Sequence, residues 1–264
     1  MDLKVYFLKL KNISFSSRTT LYDPYLWAYE LEELGFKGWE IVQEGFQCLR
    51  NENLSKLKDI YETTDLKITI HLPFSDMNLA CLNDNIHVAI IEQLKTYLEI
   101  ASPFVELAVI HPGHYSPYGS LVPSKAWKQN IESLQIIADT AENYNIDLAL
   151  ENMPNVMQIM GTTPNEIQSM LESVNRDNIH MTFDIGHANT SDNIDEFITH
   201  CSSFFKHFHI HDNHGNYDEH LPIGRGNINW KPILHKLSNT NSMFVAEMNS
   251  LEEGIDSINY IRKL

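Results

Sequence analysis

Six segments of this chain end a β-type run on a side chain that can bind a metal ion. The six runs are Ile68-Thr69-Ile70-His71, Ala108-Val109-Ile110-His111, Leu148-Ala149-Leu150-Glu151, Met181-Thr182-Phe183-Asp184, His207-Phe208-His209 and Phe244-Val245-Ala246-Glu247. Neutral imidazole and ionised carboxylate are the usual ligands for zinc, manganese or cobalt. A strand holds such a side chain rigidly, and its end is where the side chain meets solvent and substrate. Six successive ends can converge only if the strands are parallel and close into a ring.

Strand-like and helix-like patterns alternate along the chain. The predicted strands are residues 4–8, 38–42, 66–71, 105–111, 146–151, 179–184, 206–211 and 243–247. The predicted helices are residues 23–34, 54–61, 86–100, 124–144 with Ser124 as N-cap, a helix opened by Thr163-Pro164, and residues 195–200, 230–237 and 251–261. Eight strand–helix units predict one α/β domain over residues 1–264, a parallel eight-stranded (β/α)8 TIM barrel. A doubly wound open sheet, the alternative, would bring ligands together from only one or two strand ends.

Alternation within each strand tests whether the candidate ligands face the barrel axis, because residues two apart share a face. In the third strand His71 points inward when the isoleucines face the helices, and in the eighth strand Glu247 does the same. In the seventh strand His207, His209 and His211 share the inward face. We expect His207 to lie too deep in the barrel to reach a metal at the rim formed by the strand ends. Periodicity alone does not decide whether His209 or His211 is the ligand.

Two local pairs add ligands close to the same rim. Asp184-x-x-His187 places a second ligand just past the sixth strand, where we expect the loop Ile185-Gly186 to turn sharply. Asp218-x-His220 lies in the polar segment after the seventh strand, and a Gly224-Arg225-Gly226 turn follows it. These loops bring the predicted ligand set to one end of the barrel.

Other histidines are assigned to ordinary structural or surface roles, because a lone His is more often a hydrogen-bonded residue than a ligand. They are His87, His114, His180, His200 and His207. Of these, His114 is close enough to the rim to be a candidate substrate contact. The six strand ends together are not explained by ordinary surface roles, because solvated charges do not usually follow runs of Ile, Val and Leu in a strand.

Composition limits the class of partner. The net charge is −16, from 35 acidic and 19 basic residues, whereas a general nucleic-acid binder needs cationic surface. Bound divalent metals would offset some of that charge locally. Cys48, Cys81 and Cys201 are scattered without CxxC spacing and indicate neither a disulfide framework nor a thiolate zinc site. No apolar run is long enough to span a bilayer and no targeting segment is evident, so we expect a cytoplasmic protein without membrane partners.

The ordered ligand set resembles the xylose-isomerase-like barrel superfamily, which includes sugar isomerases and epimerases and the endonuclease IV type of abasic-site nuclease. The most specific stretches are Leu150-Glu151-Asn152, Phe183-Asp184-Ile185-Gly186-His187-Ala188, His209-Ile210-His211-Asp212-Asn213 and Asp218-Glu219-His220-Leu221-Pro222-Ile223-Gly224-Arg225-Gly226. The resemblance covers nearly the whole chain, from the second strand to the eighth. It implies that His209 is the ligand from the seventh strand and that His211 lines the site.

The sugar branch of the superfamily implies one metal on two Glu, one Asp and one His, which correspond to Glu151, Asp184, His209 and Glu247. That metal would act as a Lewis acid on adjacent sugar oxygens and stabilise an enediolate. Glu151 and Glu247 would then be the catalytic pair that removes and returns a proton. The expected substrate contacts are His211, Phe74, Arg225, Asn152 and His114.

The nuclease branch implies three zinc ions on nine residues. The matching positions are His71, His111, Glu151, Asp184, His187, His209, Asp218, His220 and Glu247. Three divalent ions would make this site positive and attract a phosphate, whereas a single metal leaves it negative and suits a neutral polyol. Phe74 lies where that branch inserts an aromatic ring into DNA, but an apolar wall over a sugar explains it equally well. Arg50, Lys125 and Arg225 are the only basic residues near the predicted rim.

We therefore predict a metal-dependent isomerase or epimerase that acts on a small-molecule sugar or sugar phosphate. The predicted cofactor is a divalent metal, zinc or manganese, with one to three ions. The alternative is a zinc-dependent abasic-site phosphodiesterase, for which nucleic acid would be the partner. A homo-oligomer is left open, because such barrels often pair through their outer helices.

Overall fold

The predicted barrel is confirmed by the computed structural model, which describes residue 10 and residues 12–19, 21–237 and 240–264. Its strands are β1 (Ile13–Ser17), β2 (Gly38–Val42), β3 (Lys67–His71), β4 (Leu107–Ile110), β5 (Asp147–Glu151), β6 (Ile179–Asp184), β7 (Phe205–Ile210) and β8 (Phe244–Met248). They pair in sequence order, all parallel, into a closed barrel. Closure brings β8 beside β1, with Ser16 opposite Glu247.

The first strand lies later in the chain than predicted. The predicted strand 4–8 falls outside the described residues, and Ile13–Ser17 is the strand that pairs with both β2 and β8. The position of a strand depends on its pairing partners, and the partners of β1 lie far away in the chain.

The first predicted helix, residues 23–34, is wrong, because two 3-10 turns at Pro24–Leu26 and Ala28–Glu30 replace its first half. These turns let Tyr25 and Trp27 both pack edge-on against Trp39, with ring centroids 5.7 and 5.6 Å apart. Residues two apart on a regular α-helix point to different sides and do not meet one ring in this way. Packing of aromatic rings therefore overrides the helical pattern here.

The other predicted helices are present, those at 230–237 and 251–261 with the predicted bounds and the rest with small shifts, and a short helix that was not predicted follows β6. The α-helices are α1 (Leu54–Thr63), α2 (Asp84–Ala101), α3 (Pro123–Asn143), α4 (Pro164–Val174), α5 (Ile185–Asn189), α6 (Ile194–Cys201), α7 (Trp230–Leu237) and α8 (Leu251–Ile261). Thr163 caps α4 by accepting a hydrogen bond from Glu166 N, as its position before Pro164 indicates. None of the helices in the described part of the chain combines the length and apolar character needed to cross a bilayer.

Ser124 is not the N-cap of α3, contrary to the prediction. The helix begins one residue earlier, at Pro123, and its N-cap position is occupied by Val122, which makes no side-chain capping bond. Proline is well suited to the first helical position, because its fixed φ is helical and its missing N–H would have no partner there. The proline therefore sets the start of the helix in preference to the serine.

Alternation along the strands separates two layers of side chains. Trp39 and Ile41 of β2 belong to the large apolar core between strands and helices, so the intervening Glu40 faces the barrel axis. On β4, Ala108 and Ile110 lie in that outer core. Leu107 and Val109 instead form a separate cluster with Ala149 of β5 inside the barrel. The inner layer is therefore apolar on one side and charged on the other.

Candidate metal centre and active site

Glu151, at the end of β5, is the residue on which the predicted ligands converge. Its side chain is buried, and its Oε2 atom lies 3.1 Å from Nε2 of His71 and 3.0 Å from Nε2 of His111. Its Oε1 atom lies 3.1 Å from Nδ1 of His209 on the opposite side. The two carboxylate oxygens therefore face two different groups of imidazoles, as a carboxylate that bridges two cations would.

The ends of four strands form one donor cluster. The donor atoms of Glu151, Asp184, His209 and Glu247 all lie within 4.8 Å of one another, and these residues are buried. From Nδ1 of His209 the distances are 3.1 Å to Glu151, 3.4 Å to Glu247 and 3.8 Å to Asp184. Ligands about 2 Å from a common cation lie at most ~4 Å apart, so this spacing fits a single ion.

A second donor group lies beside the first, built from the segments after β6 and β7. Its members are His187, His211, Asp218 and His220. Oδ2 of Asp218 lies 2.9 Å from Nε2 of His220 and 3.4 Å from Nε2 of His187. The rings of His211 and His220 stack with centroids 3.7 Å apart. Sequence reasoning placed His211 among substrate contacts, whereas the structure places it in this donor group, 3.2 Å from Asp184.

The segment after β6 is a helical turn and not the predicted sharp loop. Asp184 is the N-cap of α5 and accepts a hydrogen bond of 2.7 Å from His187 N, which orients both side chains toward the axis. Gly186 allows His211 to approach, because a Cβ at this position would lie 2.0 Å from the imidazole Cε1 atom. Asn152 holds the turn in place by exchanging two hydrogen bonds with the backbone of Asp184.

The loop that carries Asp218 and His220 is fixed by a buried carboxylate. Asp212 accepts hydrogen bonds from Gly224 N at 2.9 Å and from Trp230 Nε1 at 3.0 Å, which tie the part of the loop after His220 back to the segment just after β7. His220 itself has a left-handed backbone, with φ of 50°. A non-glycine residue in this region is strained, and such strain is often kept at functional sites.

Electrostatics show that the carboxylates of the site depend on nearby positive charge. Burial alone would raise the pKa of Glu151, but the imidazoles of His209 and His111 hold the pKa of this carboxyl well below its usual range. Burial would lower the pKa of His209, but Glu247 and Glu151 raise it well above its usual value. A buried cluster of three carboxylates is stable only with compensating cations.

The donor chemistry of the site therefore fits a divalent metal. Oδ1 of Asp218 and Nδ1 of His211 are buried without a hydrogen-bond partner among the described residues. Oxygen and imidazole nitrogen donors without thiolate are the set that suits zinc, manganese or cobalt. Glu151, Asp184, His209 and Glu247 would hold one ion. Two neighbouring donor groups offer places for further ions: one is His187, His211, Asp218 and His220, and the other is His71, His111 and Glu151.

A cavity of about 350 Å³ opens over this cluster at the carboxyl ends of the strands. Glu151 and Glu247 lie at its base, and Phe74 forms part of its wall with its ring stacked on that of His111, the centroids 4.9 Å apart. Arg18, just after β1, also lines it. It is the only lysine or arginine among the described lining residues, and sequence reasoning did not identify it.

Three predicted substrate contacts lie elsewhere. Arg225 has an exposed side chain 3.9 Å from Asp256, and His114 is exposed in a bridge with Ile159; neither lines this cavity. Asn152 is fully buried, and its side chain hydrogen-bonds to the backbone of Asp184 at the end of β6. Proximity in sequence to a ligand motif does not set the direction in which a side chain points.

Glu40, in the middle of β2, is a second residue that sequence reasoning missed. It is fully buried beneath the cluster, and its carboxylate lies 2.8 Å from Nε2 of His207 and 2.9 Å from Nε2 of His209. The signal was present, because Trp39 and Ile41 are apolar and leave the intervening glutamate on the inner face. Glu40 was missed because only residues at the ends of strands were considered as candidates.

A larger cavity, about 670 Å³, lies at the amino ends of the strands, where Lys67, Asp147 and Lys206 are among its lining residues. It does not contain the donor cluster. Catalytic groups of such barrels project at the carboxyl ends of the strands, so size does not decide between the two cavities. The smaller cavity is therefore the candidate active site.

The model of the xylose isomerase-like TIM barrel family matches residues 28–264, and the chain belongs to this family. An uncharacterized protein of Methanocaldococcus jannaschii is 37% identical over 212 residues, which are 79% of this chain and 72% of that protein. The crystal structure of a D-tagatose 3-epimerase-like protein is 32% identical, with a TM-score of 0.90 and 96% of each chain covered. D-psicose 3-epimerase from Clostridium cellulolyticum, at 18% identity, shares the fold, with a TM-score of 0.79 over 96% of this chain and 98% of its own.

Proposed function

We propose that this xylose isomerase-like barrel is a divalent-metal-dependent isomerase or epimerase of a sugar or sugar phosphate. The names of similar proteins support this proposal, since one is a D-tagatose 3-epimerase-like protein and others are D-psicose 3-epimerases. The observation that carries it is the cluster of Glu151, Asp184, His209 and Glu247 at the base of a cavity of about 350 Å³. A cavity of this size suits a small molecule.

Glu151 and Glu247 are the candidate proton-transfer groups. They come from β5 and β8, three strands apart in the ring, and both line the cavity, so they can face a bound sugar from different sides. Glu247 makes longer contacts with imidazoles, 3.4 Å to His209 and 3.8 Å to His220, than Glu151 does. A carboxylate less engaged by neighbours is the better base, so Glu247 would remove the proton beside the carbonyl.

Glu151, protonated at the start, would give its proton to the same carbon from the other side for epimerisation, or to the neighbouring carbon for isomerisation. The reaction would leave Glu151 ionised and Glu247 protonated, and exchange with solvent would restore both carboxyl groups. Glu151, Asp184, His209 and Glu247 would hold the metal, which as a Lewis acid acidifies the carbon-bound proton next to a carbonyl. The stacked rings of Phe74 and His111 form one wall of the cavity.

Exchange of carbon-bound protons with solvent tests this proposal directly. The protein is purified without chelator, loaded with zinc, manganese or cobalt, and incubated in D₂O with D-tagatose, D-psicose, other ketoses and aldoses, and their phosphates. We expect metal-dependent loss of the proton signal at one carbon of at least one sugar. Absence of exchange with every sugar and every metal would contradict the proposal.

A second candidate function, metal-dependent incision of DNA at abasic sites, has one specific observation in its favour. Seven of the nine residues of the three-zinc set line the cavity, and the other two, Asp184 and His209, are buried in the donor cluster. Glu151 faces His71 and His111 with one oxygen and His209 with the other. Against it, Arg18 is the single lysine or arginine among the described residues that line the cavity. A grip on duplex DNA requires more cationic surface than this.

Elemental analysis and a duplex assay separate the two functions. We expect about one metal ion per chain for the sugar enzyme and about three zinc ions for the nuclease. A duplex that contains an abasic analogue is then incubated with the loaded protein at low and moderate salt. We expect no incision; metal-dependent incision would favour the second candidate.

A further inference from the structure

Two of the candidate histidine ligands, His71 and His187, are oriented by a backbone carbonyl, whereas His209 is not. Nδ1 of His71 lies 2.8 Å from the carbonyl oxygen of Leu72, and Nδ1 of His187 lies 2.8 Å from that of Asn152. A carbonyl oxygen only accepts, so Nδ1 carries the proton in both rings. The other nitrogen, Nε2, is then left with its lone pair for a ligand.

His209 faces no carbonyl but a fully buried carboxylate. Its Nε2 atom lies 2.9 Å from Oε1 of Glu40, a close contact that is not aligned as a hydrogen bond, and neither atom has a hydrogen-bond partner among the described residues. Its other nitrogen, Nδ1, points at the cluster of Glu151, Asp184 and Glu247. Because a carboxylate only accepts, a proton on Nε2 is the arrangement that satisfies Glu40.

Glu40 is itself held on its second oxygen. Oε2 accepts a hydrogen bond of 2.9 Å from the hydroxyl of Thr69 and lies 2.8 Å from Nε2 of His207. Both partners are buried inner-face residues on β3 and β7. The carboxylate therefore has a fixed place and orientation under the ring of His209, although it has no access to the cavity above.

We infer that Glu40 is a positioning residue for the metal centre: it holds the proton of His209 on Nε2 and so directs the lone pair of Nδ1 at the cation site. This inference rests on the proposed function only in requiring that the cluster binds a metal. Outer partners of this kind fix ring orientation and raise the basicity of a histidine ligand. Glu40 touches neither substrate nor metal in this arrangement.

Metal affinity of the purified chain, measured by competition with a chromophoric chelator, tests the inference without any substrate. We expect Glu40→Gln, which keeps the shape but removes the charge, to weaken zinc or cobalt binding about 10-fold, and Glu40→Leu to weaken it about 100-fold. The visible spectrum of the cobalt form should change as well, because it reports ligand geometry. If the leucine variant does not fold, the glutamine variant alone carries the comparison.

The matched control is His207→Gln, which removes the other imidazole on Glu40 and leaves the contact with His209. We expect it to lower thermal stability of the metal-free protein but to leave metal affinity and the cobalt spectrum unchanged. Unchanged affinity in Glu40→Gln, or an equal loss in His207→Gln, would overturn the inference. Failure of the unaltered protein to bind any metal would instead overturn the proposed function and this inference with it.

Discussion

The two sides of the barrel interior differ in what fills them. On β4 and β5 the inner face is apolar, with Leu107 and Val109 packed against Ala149. On β2 and β7 the same depth is occupied by Glu40 and His207, which contact each other at 2.8 Å. Both sides are buried, and both belong to the same ring of strands.

One layer of the barrel interior therefore has two roles. Its apolar side stabilises the fold, and its charged side supports the candidate site. The apolar side is the packed interior that such barrels generally have, and it favours folding without any partner. The charged side costs free energy unless every polar group is paired. Such a cost is retained where it serves the site above, and Glu40 lies directly beneath His209.

We expect the largest effect on activity from a change at Glu247, which lies at the end of β8 in the candidate site. Glu247→Gln leaves the shape of the cavity intact but removes the candidate base, so we expect solvent-proton exchange at the substrate carbon to fall about 10²–10⁴-fold. NMR of the substrate in D₂O measures the exchange. Thermal unfolding of the metal-free protein checks that the variant is folded.

Glu44→Gln is the control for this change. Glu44 lines the same cavity, but Oε1 of this residue accepts hydrogen bonds from the backbone N atoms of Phe74 and Ser75 at its mouth. We expect exchange to persist in this variant. Equal loss of exchange in both variants would mean that charge at the mouth, and not a specific base, supports the reaction.

A polar group introduced into the apolar side should be the next largest change. Val109→Thr keeps the volume but buries a hydroxyl beside Leu107 and Ala149, and we expect the free energy of unfolding to fall by about 2 kcal/mol. Urea unfolding of the metal-free protein measures this loss, and metal affinity should not change. A variant with weakened metal binding would show that the apolar side also serves the site.

Replacing a threonine by valine on the charged side should lower the free energy of unfolding slightly less than Val109→Thr does. Thr69→Val removes the hydroxyl that donates to Oε2 of Glu40, while His207 remains as a partner of that oxygen. We expect the free energy of unfolding to fall by about 1.5 kcal/mol, the lower end of the range for a hydrogen bond to a charged group, because His207 still contacts the same oxygen. A stability gain in the same urea experiment would indicate that the charged side tolerates apolar replacement.

The same contrast explains how far sequence alone predicts the fold. Four strands and helices, at 38–42, 179–184, 230–237 and 251–261, have the bounds that periodicity predicts, because apolar residues on their outer faces mark the boundary between strands and helices. The segment 23–34 failed because contacts with Trp39, distant in sequence, select 3-10 turns. A local sequence pattern does not show which distant residues will pack against the segment.

The candidate site was predictable where a ligand ends a strand and not where a loop places it. His71, Glu151 and Glu247 point inward because alternation fixes their direction. Loops have no such period, and Arg225 accordingly faces solvent beside Asp256 instead of the cavity. Arg18 lines the cavity after an unremarkable strand, and no sequence pattern distinguishes it from other surface arginines.

A carboxylate on the outer surface should show the smallest effect. Asp139 of α3 pairs with Arg176, and its side chain is 52% exposed. The hydrogen bond from this guanidinium lowers the pKa of Asp139, so the pair adds stability above the unfolded pKa, about 3.9, and loses it as pH falls through the folded value. We expect Asp139→Asn to cause only a marginal change in melting temperature at neutral pH, and none at low pH or high salt, because water screens the pair. A change at neutral pH as large as that for Thr69→Val would show that burial is not what separates the two kinds of charge.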